Sequence, residues 1–541
     1  MTGLVTAFGS GAMTNSLDDI ANDAQVYFII GSNTTENHPV LGMRIRQAVK
    51  QRGAKLIVCD PRSIPITEFA TLHIRQKPGT DIALLNGIMH VLIAEGLYDK
   101  KFVEERTEGL EELKAKVMEY PPERASEICS ITPEEIIEAA HLLAKNRPGA
   151  LLYAMGITQH TTGHQNVLSC ANLQMLLGNM GVPGGGVNPL RGQVNVQGAC
   201  DMGALVNVYP GYQKVAGPAM REKFEKAWGV PLSDKVGITL VEMLNKAEKG
   251  EIKAMYIMGE NPMVSDPDVN HVEKCLKSLD FLVLQDIFLT ETAALADVVL
   301  PGPSFAEKDG TFTNTERRIQ FVRQAIDPPG EARQDWWISG EIARRMGYDG
   351  LAYNSPREIM DEINCLTPIY GGITWDRIGT QGLQWPCSNA EHQGTPILHV
   401  GRFSRGLGHF SAVDWLPPTE EPDEQYPFIF TTGRVLYHFH TGSMSRRSEG
   451  LDAIYPEAMV ELNPEDASRL GIADGQMVKV SSRRGEVTAR AEVSGKVEPG
   501  VVFMAWHFAE AAANKLTIAA LDPTAKIPEY KVCAVKVEAA A

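Results

Sequence analysis

The sequence lacks any Cys-x-x-Cys pair. Its eight cysteines, Cys59, Cys129, Cys170, Cys200, Cys275, Cys365, Cys387 and Cys533, stand singly. That spacing excludes a zinc knuckle or an iron–sulfur cluster built from local cysteines. Scattered single cysteines fit a reducing compartment, where most serve as small buried hydrophobes. A cytoplasmic location is expected on that ground. No apolar run approaches the roughly 20 residues needed to span a bilayer. The N-terminus has no basic, apolar, small-residue leader. Cations are outnumbered, 51 Lys and Arg against 67 Asp and Glu, for a net charge of −16. A nucleic-acid partner is therefore not expected, since basic patches provide most of that affinity. The G-x-G-x-x-G fingerprint is also absent, so an ordinary NAD site is not supported.

What is present is globular: 44% hydrophobic and 22% charged residues in a chain of 541. That length predicts three to four domains. Val26 to Ile30 is a short apolar run ending at Gly31-Ser32-Asn33, read as a strand and turn. Leu41 to Gln51 has helical spacing, with Gly53 placed to end it. Lys55 to Cys59 is the next strand, ending at Asp60-Pro61-Arg62. This is a βαβ unit with parallel strands and a right-handed crossover. Ligands of such sheets bind beyond the carboxyl ends of the strands, where Gly31 and Asp60 both sit. Asp60 there either accepts from the two ribose hydroxyls of a nucleotide or belongs to a simple turn. Pro78-Gly79-Thr80-Asp81 opens a helix through Ile93, with Thr80 or Asp81 as its cap. Thr132-Pro133-Glu134-Glu135 reads as a capping box. Ala150 to Met155 is another buried strand, and His164 to Leu177 another helix. Gly184-Gly185-Gly186 then allows close backbone approach to a ligand, or serves as a linker. A dense polar run from Asn188 to Asn195 follows it, which favours a site.

The run Asn188-Pro189-Leu190-Arg191-Gly192-Gln193-Val194-Asn195, continuing through Cys200-Asp201-Met202-Gly203, resembles the active-site segment of formate dehydrogenase alpha subunits of the molybdopterin oxidoreductase family. Similar motifs follow at Met258-Gly259-Glu260-Asn261-Pro262, Ala296 to Pro301, Glu307 to Arg318 and Pro528-Glu529-Tyr530-Lys531. The resemblance implies two pyranopterin guanine dinucleotides holding one molybdenum or tungsten. It implies oxidation of formate to carbon dioxide, with Arg191 as the catalytic carboxylate clamp; a guanidinium fork binds carboxylate bidentately. It places Asp60 on the guanosine hydroxyls, with Gly31, Ser32, Asn33, Gly79 and Asp81 lining the same nucleotide. Met155, Gln159 and Gln193 fall near the pterin. Glu36, Cys59, Arg62, Pro78, Gly156 and Asp286 complete the cofactor set in this part of the chain. A nitrate-reductase-type oxidoreductase and a non-catalytic scaffold of the same fold are the alternative readings.

The last third changes character. Pro417 to Pro427 is rich in proline and acid, like a linker. Beyond it, short β-runs at Met459 to Leu462, Met477 to Ser481, Val487 to Val493 and Val501 to Met504 are punctuated by glycines, predicting a small β-barrel. It resembles the family's C-terminal barrel. Arg434, His438 and His440 match its pterin loop, and Asn514, Tyr530 and Lys531 match other cofactor contacts. A histidine pair at i, i+2 on a strand would share one face, yet no third ligand for a metal is evident. The expected fold is α/β: parallel-sheet dinucleotide-binding domains followed by a six-stranded, double-psi-type β-barrel. The expected divisions are residues 1–191 and 192–304 for two dinucleotide-binding domains, the second incomplete. Residues 305–416 form a connecting segment that packs on an iron–sulfur domain, and 417–541 form the barrel.

Met1 to Asn15 resembles the stretch just after the family's metal-binding cysteine or selenocysteine. The resemblance thus puts the protein metal ligand a few residues before Met1, so no metal ligand is expected in the sequence itself. A reading frame restarted after a UGA selenocysteine codon, or a truncation, would leave it so. It also puts a [4Fe–4S] cluster upstream and iron–sulfur, hydrogenase or diaphorase subunits as partners. In that case a missing leader does not argue against export. The expectation is that this chain alone, produced in a pterin-competent host, gives no formate-dependent reduction of a viologen dye. Activity clearly above a vector control would show that ligand and cluster are dispensable.

Overall fold

A computed structural model describes residues 1–540. The chain forms two compact units. One comprises Met1–Gly192, Met263–Val272 and Ile397–Ala541; the other comprises Gln193–Pro262 and Glu273–Pro396.

The first unit opens on a parallel sheet of β1 (Val26–Ile30), β2 (Lys55–Cys59), β3 (Leu72–Ile74), β4 (Gly149–Tyr153) and β5 (Val187–Pro189), in the order β3-β2-β1-β4-β5. Successive side chains point to opposite faces, and both faces are apolar, as a parallel sheet covered on both sides requires. Val26, Phe28 and Ile30 enter one layer with Leu85 and Ile88 of helix Asp81–Ala94. Tyr27 and Ile29 enter the other with Ile20, Leu41 and Ile45. The strands are continuous apolar runs because neither face meets water.

Local signals hold with two amendments. The expected helix over 41–51 runs from Pro39 to Gln47, then widens into a π turn over Ala48–Arg52 before Gly53 ends it at φ 71°. Thr80 occupies the N-cap of the helix Asp81–Ala94, but neither its side chain nor that of Asp81 makes a cap hydrogen bond. The Thr80 hydroxyl donates to the Lys77 carbonyl at 2.6 Å, and Asp81 accepts from Gln76 at 3.0 Å. The box at Thr132 is made, with the Glu135 carboxylate on the Thr132 amide at 2.8 Å.

The second unit carries a parallel sheet of β6 (Ala254–Met258), β7 (Phe281–Asp286) and β8 (Val298–Pro301), with β7 central. Leu282 and Leu284 are buried, but Tyr256, Met258 and Phe281 are exposed, an unusual state for a parallel sheet. An antiparallel group follows, β9 (Gly310–Thr313), β10 (Arg318–Val322) and β11 (Leu383–Gln384). Asp201 is wholly buried in this unit yet accepts from Gln197, Tyr212, Tyr370 and Trp385 at 2.6–2.7 Å. Four donors replace the water the carboxylate has lost.

The chain then returns to the first unit as a closed six-stranded barrel: β12 (Phe428–Gly433), β13 (Met459–Leu462), β14 (Met477–Ser481), β15 (Glu486–Val493), β16 (Val501–Ala505) and β17 (Cys533–Ala539). Pairs β12–β16 and β13–β15 are parallel and the rest antiparallel. His438 and His440 are not on a strand, as the shared-face reading supposed; they sit in the loop after β12, with His440 at φ 51°. The acidic linker is pinned: Glu420 takes Arg484 bidentately at 2.7 and 2.8 Å and the Ala534 amide at 2.7 Å.

Sheet and barrel are joined by Arg62, just past β2, which forks onto Glu461 of β13 at 2.9 and 2.5 Å. Its guanidinium carbon also lies 3.5 Å from the ring centre of Phe503 on β16. Glu461→Ala leaves that cation buried and unpaired, and should lower unfolding stability by about 3–5 kcal/mol. Arg62→Leu combined with Glu461→Leu should lose less, because no charge is stranded. Urea unfolding of the three proteins checks the order.

Candidate active site

A cleft opens where the order of the first sheet reverses, between β1 and β4. This is the place at which open parallel sheets bind ligands. Its floor is the loops after β1, β2 and β4: Gly31-Ser32-Asn33, Asp60-Pro61-Arg62 and Ala154-Met155-Gly156. Pro78, Gly79 and Asp81 close one side, and the barrel supplies Thr431 to Arg434, Phe503, Trp506 and Lys531.

Glycine is required at the floor. Gly31 has φ 57°, and a Cβ on Gly156 would lie 2.5 Å from the Gly31 Cα. The Gly156 amide donates to the Gly31 carbonyl at 3.0 Å. Two strand-end loops thus touch backbone to backbone, leaving room above them.

Several polar atoms at this cleft are buried without a partner: both amide atoms of Asn33, Asn37 Oδ1, Gln76 Oε1 and Arg434 Nε. Leaving a polar atom buried and unmade costs about 1–3 kcal/mol each. Their concentration on one cleft marks it as shaped for a polar ligand. Asp60 Oδ1 accepts from the Arg62 amide at 2.9 Å, which leaves Oδ2 for a ligand. Burial raises the Asp60 carboxyl to about 6, opposed by the Arg62 amide and charge. Burial lowers Lys531 to about 8, opposed by Asp60 and Glu529. Its ammonium donates to the Thr432 carbonyl at 2.6 Å.

The remaining expected residues divide. Glu36 does not line the cleft; burial raises its carboxyl, while Arg62 draws it down. The Cys59 side chain faces the apolar layer, wholly buried, and its carbonyl takes the Gly31 amide at 3.1 Å. Gln159 uses its carbonyl on the Tyr530 amide at 3.2 Å. Asn514 donates to the Val264 and Ser265 carbonyls, and the Tyr530 hydroxyl to Ser265, so both hold the segment Met263–Val272. His438 is buried between the Tyr455 carbonyl and the Ser445 hydroxyl. His440 packs edge-on to Trp506 with ring centres 4.9 Å apart, and burial drops it to about 4. Arg191 follows β5, and Gly192 beside it is so near Arg434 that a Cβ would stand 3.4 Å from Nη1. Gln193 and Asp286 belong to the second unit. Asp286 ends β7, and its charge, after burial, raises Glu260 just past β6. The carboxyl edge of that sheet is therefore acidic.

Sequence reasoning missed His160, which lines the cleft. Its Nδ1 meets Glu529 Oε1 at 3.0 Å and its Nε2 the Gly156 carbonyl at 2.9 Å. Two acceptors on one ring demand protons on both nitrogens. Glu529 also takes the amides of Thr161, Lys531 and Val532 at 2.9–3.2 Å. No local signal could reveal a pair 369 positions apart. Burial, the largest single influence, would lower His160, but Glu529, Asp81 and the Gly156 carbonyl together outweigh it and the ring is raised above 6.5. A raised folded value means the pair's stabilisation is complete below the ordinary histidine range and is lost as pH climbs through the raised value. Compared with His160→Gln, the wild-type chain should hold its largest stability advantage near pH 5.5 and a smaller one at alkaline pH. An advantage growing with pH would refute a buried imidazolium.

Comparison with known proteins agrees with this geometry. Residues 5–345 match the model of the molybdopterin oxidoreductase family, and 428–534 that of the molydopterin dinucleotide binding domain. The chain is 54% identical over 541 residues to F420-dependent formate dehydrogenase 1 subunit alpha of Methanococcus maripaludis, covering 99% of this chain and 80% of that one. It is 43% identical to formate dehydrogenase H of Escherichia coli, covering 99% and 76%. The fold matches acetylene hydratase from Pelobacter acetylenicus with a TM-score of 0.79 at 22% identity, over 100% of this chain and 80% of that one. With two family models matched along most of its length, and formate dehydrogenase alpha subunits as its relatives, the chain, with its strand-end cleft roofed by a six-stranded barrel, belongs to the molybdopterin oxidoreductase family.

Proposed function

We propose that the chain is part of a formate dehydrogenase catalytic subunit, interconverting formate and carbon dioxide at a molybdenum or tungsten bis(pyranopterin guanine dinucleotide) centre. The observation that carries the cofactor half is the cluster of unpartnered buried polar atoms at the strand-end cleft. Asp60, ionised above about 6, would accept the ribose hydroxyls of one guanosine. Asn33 and Gln76 offer partners to a base or phosphate, and Lys531 and Arg434 bring positive charge from the barrel side. Met155 and Gly156 would line the same group. Asp286 and Glu260, at the carboxyl edge of the second parallel sheet, would serve the other dinucleotide. When bound, the metal–pterin group supplies the two-electron acceptor for C–H cleavage.

Arg191 carries the substrate half. Formate offers little to grip except its charge, and a guanidinium fork holds both oxygens and so fixes where the C–H bond points. A [4Fe–4S] relay and iron–sulfur, hydrogenase or diaphorase partners belong to the same proposal. Among the described residues, no helix is long and apolar enough to cross a membrane.

The test is Arg191→Lys in the pterin-loaded holoenzyme. Charge remains but the fork is lost, at a cost of about 2–4 kcal/mol, or roughly 30- to 1000-fold in kcat/KM for formate. Unaltered formate kinetics in that variant would overturn the clamp assignment.

A further inference from the structure

His38 stands 153 positions from Arg191 in sequence, yet its Nε2 is 2.8 Å from the Arg191 carbonyl oxygen. A carbonyl only accepts, so Nε2 carries the proton and the ring is held in one tautomer. His38 is itself rigidly mounted. It forms the joint between helices Thr34–Asn37 and Pro39–Gln47, at φ −138° and ψ 61°. Its amide donates to the Thr34 carbonyl at 2.9 Å, and its carbonyl takes the Gly42 amide at 2.9 Å. Pro39 restricts the backbone on its far side.

The Arg191 backbone is held from two directions. The Leu190 amide donates to the Tyr153 carbonyl at 2.8 Å, and the Arg191 carbonyl accepts from His38. The two bonds bracket the Cα from which the guanidinium departs. Burial and the nearby Arg434 charge favour a neutral His38 ring, against the pull of the Arg191 carbonyl. A neutral ring keeps the donor without adding a cation beside an arginine.

We propose that His38 is a positioning residue for Arg191: its Nε2–H bond to the Arg191 carbonyl fixes the main chain that aims the guanidinium at the substrate carboxylate. The inference rests on the reading of Arg191 as the formate clamp.

Three variants test it. His38→Gln can place an Nε2 donor near the same point, whereas His38→Ala and His38→Phe cannot. Amide exchange of peptide 187–195, followed by mass spectrometry on the cofactor-free full chain, should quicken in Ala and Phe and stay near wild type in Gln. In the pterin-loaded holoenzyme, the KM for formate should rise about tenfold in Ala and Phe with a smaller change in kcat, and Gln should recover to within about threefold. Wild-type exchange and KM in Ala and Phe would overturn the proposal, as would a Gln variant no better than Ala. Arg191→Lys measured alongside separates the two ideas. If it impairs formate turnover while the His38 variants do not, only positioning fails. If it leaves turnover unchanged, the clamp reading fails and the catalytic part of this proposal falls with it.

Discussion

Two buried charge pairs let one sheet and one barrel share a cleft. Arg62 on Glu461 ties the turn after β2 to β13, and His160 on Glu529 ties the loop after β4 to the approach of β17. Each pair joins a sheet edge that needs its carboxyl ends open to a barrel that must stand over them. An apolar seal would fill the space the ligand needs. Ion pairs hold the walls at two points and leave the middle empty. The desolvation they cost is offset by geometry: Arg62 is bidentate and stacked on Phe503, and Glu529 is met by three main-chain amides besides the imidazole.

The same constraint explains where the glycines fall. Gly31 and Gly156 let two strand-end loops meet at backbone distance, so the His160 bond to the Gly156 carbonyl fixes both loops at once. A side chain at either position would lift one loop into the cleft. Rigid walls then make the partnerless atoms of Asn33 and Gln76 meaningful, since neither can swing away to find a neighbour.

Much of this was legible from the chain. The apolar runs at 26–30 and 55–59 and the turn residues after them located the sheet and its carboxyl edge, because strand period and turn chemistry are local. Four of the six barrel strands were legible for the same reason, with the glycines between them; Phe428–Gly433 and Cys533–Ala539 were not read from the chain. Strand-end logic put Asp60 and Gly31 at the carboxyl edge, where the cleft lies, though it left Asp60 open between a ligand contact and a turn. His160, Glu529 and His38 could not be placed so. Each works through a partner more than 150 positions away, and a lone histidine in sequence has no periodicity to betray it. The histidine pair at 438 and 440 failed as a strand because a loop intervenes after β12, where His438 is spent on main chain. Asn514 and Tyr530 illustrate a further limit: a motif match locates a residue, but their side chains hold the segment Met263–Val272 in this structure.

The electrostatics of the cleft narrow what it can hold. The cleft is lined by two carboxylates, Asp60 and Asp81, and by two cations, Arg434 and Lys531, so neither a purely anionic nor a purely cationic ligand matches it. Arg62 contributes little free charge, because Glu461 already neutralises it. The arrangement suits a ligand that carries both hydroxyl donors and anionic oxygens. Asp60, raised to about 6 by burial, stays ionised at neutral pH and so remains an acceptor. Lys531, lowered to about 8, keeps its proton there by a similar margin. An anionic oxygen nearby would stabilise the ammonium, and ribose hydroxyls would stabilise the carboxylate, so each kind of group on such a ligand strengthens the charge state that binds it.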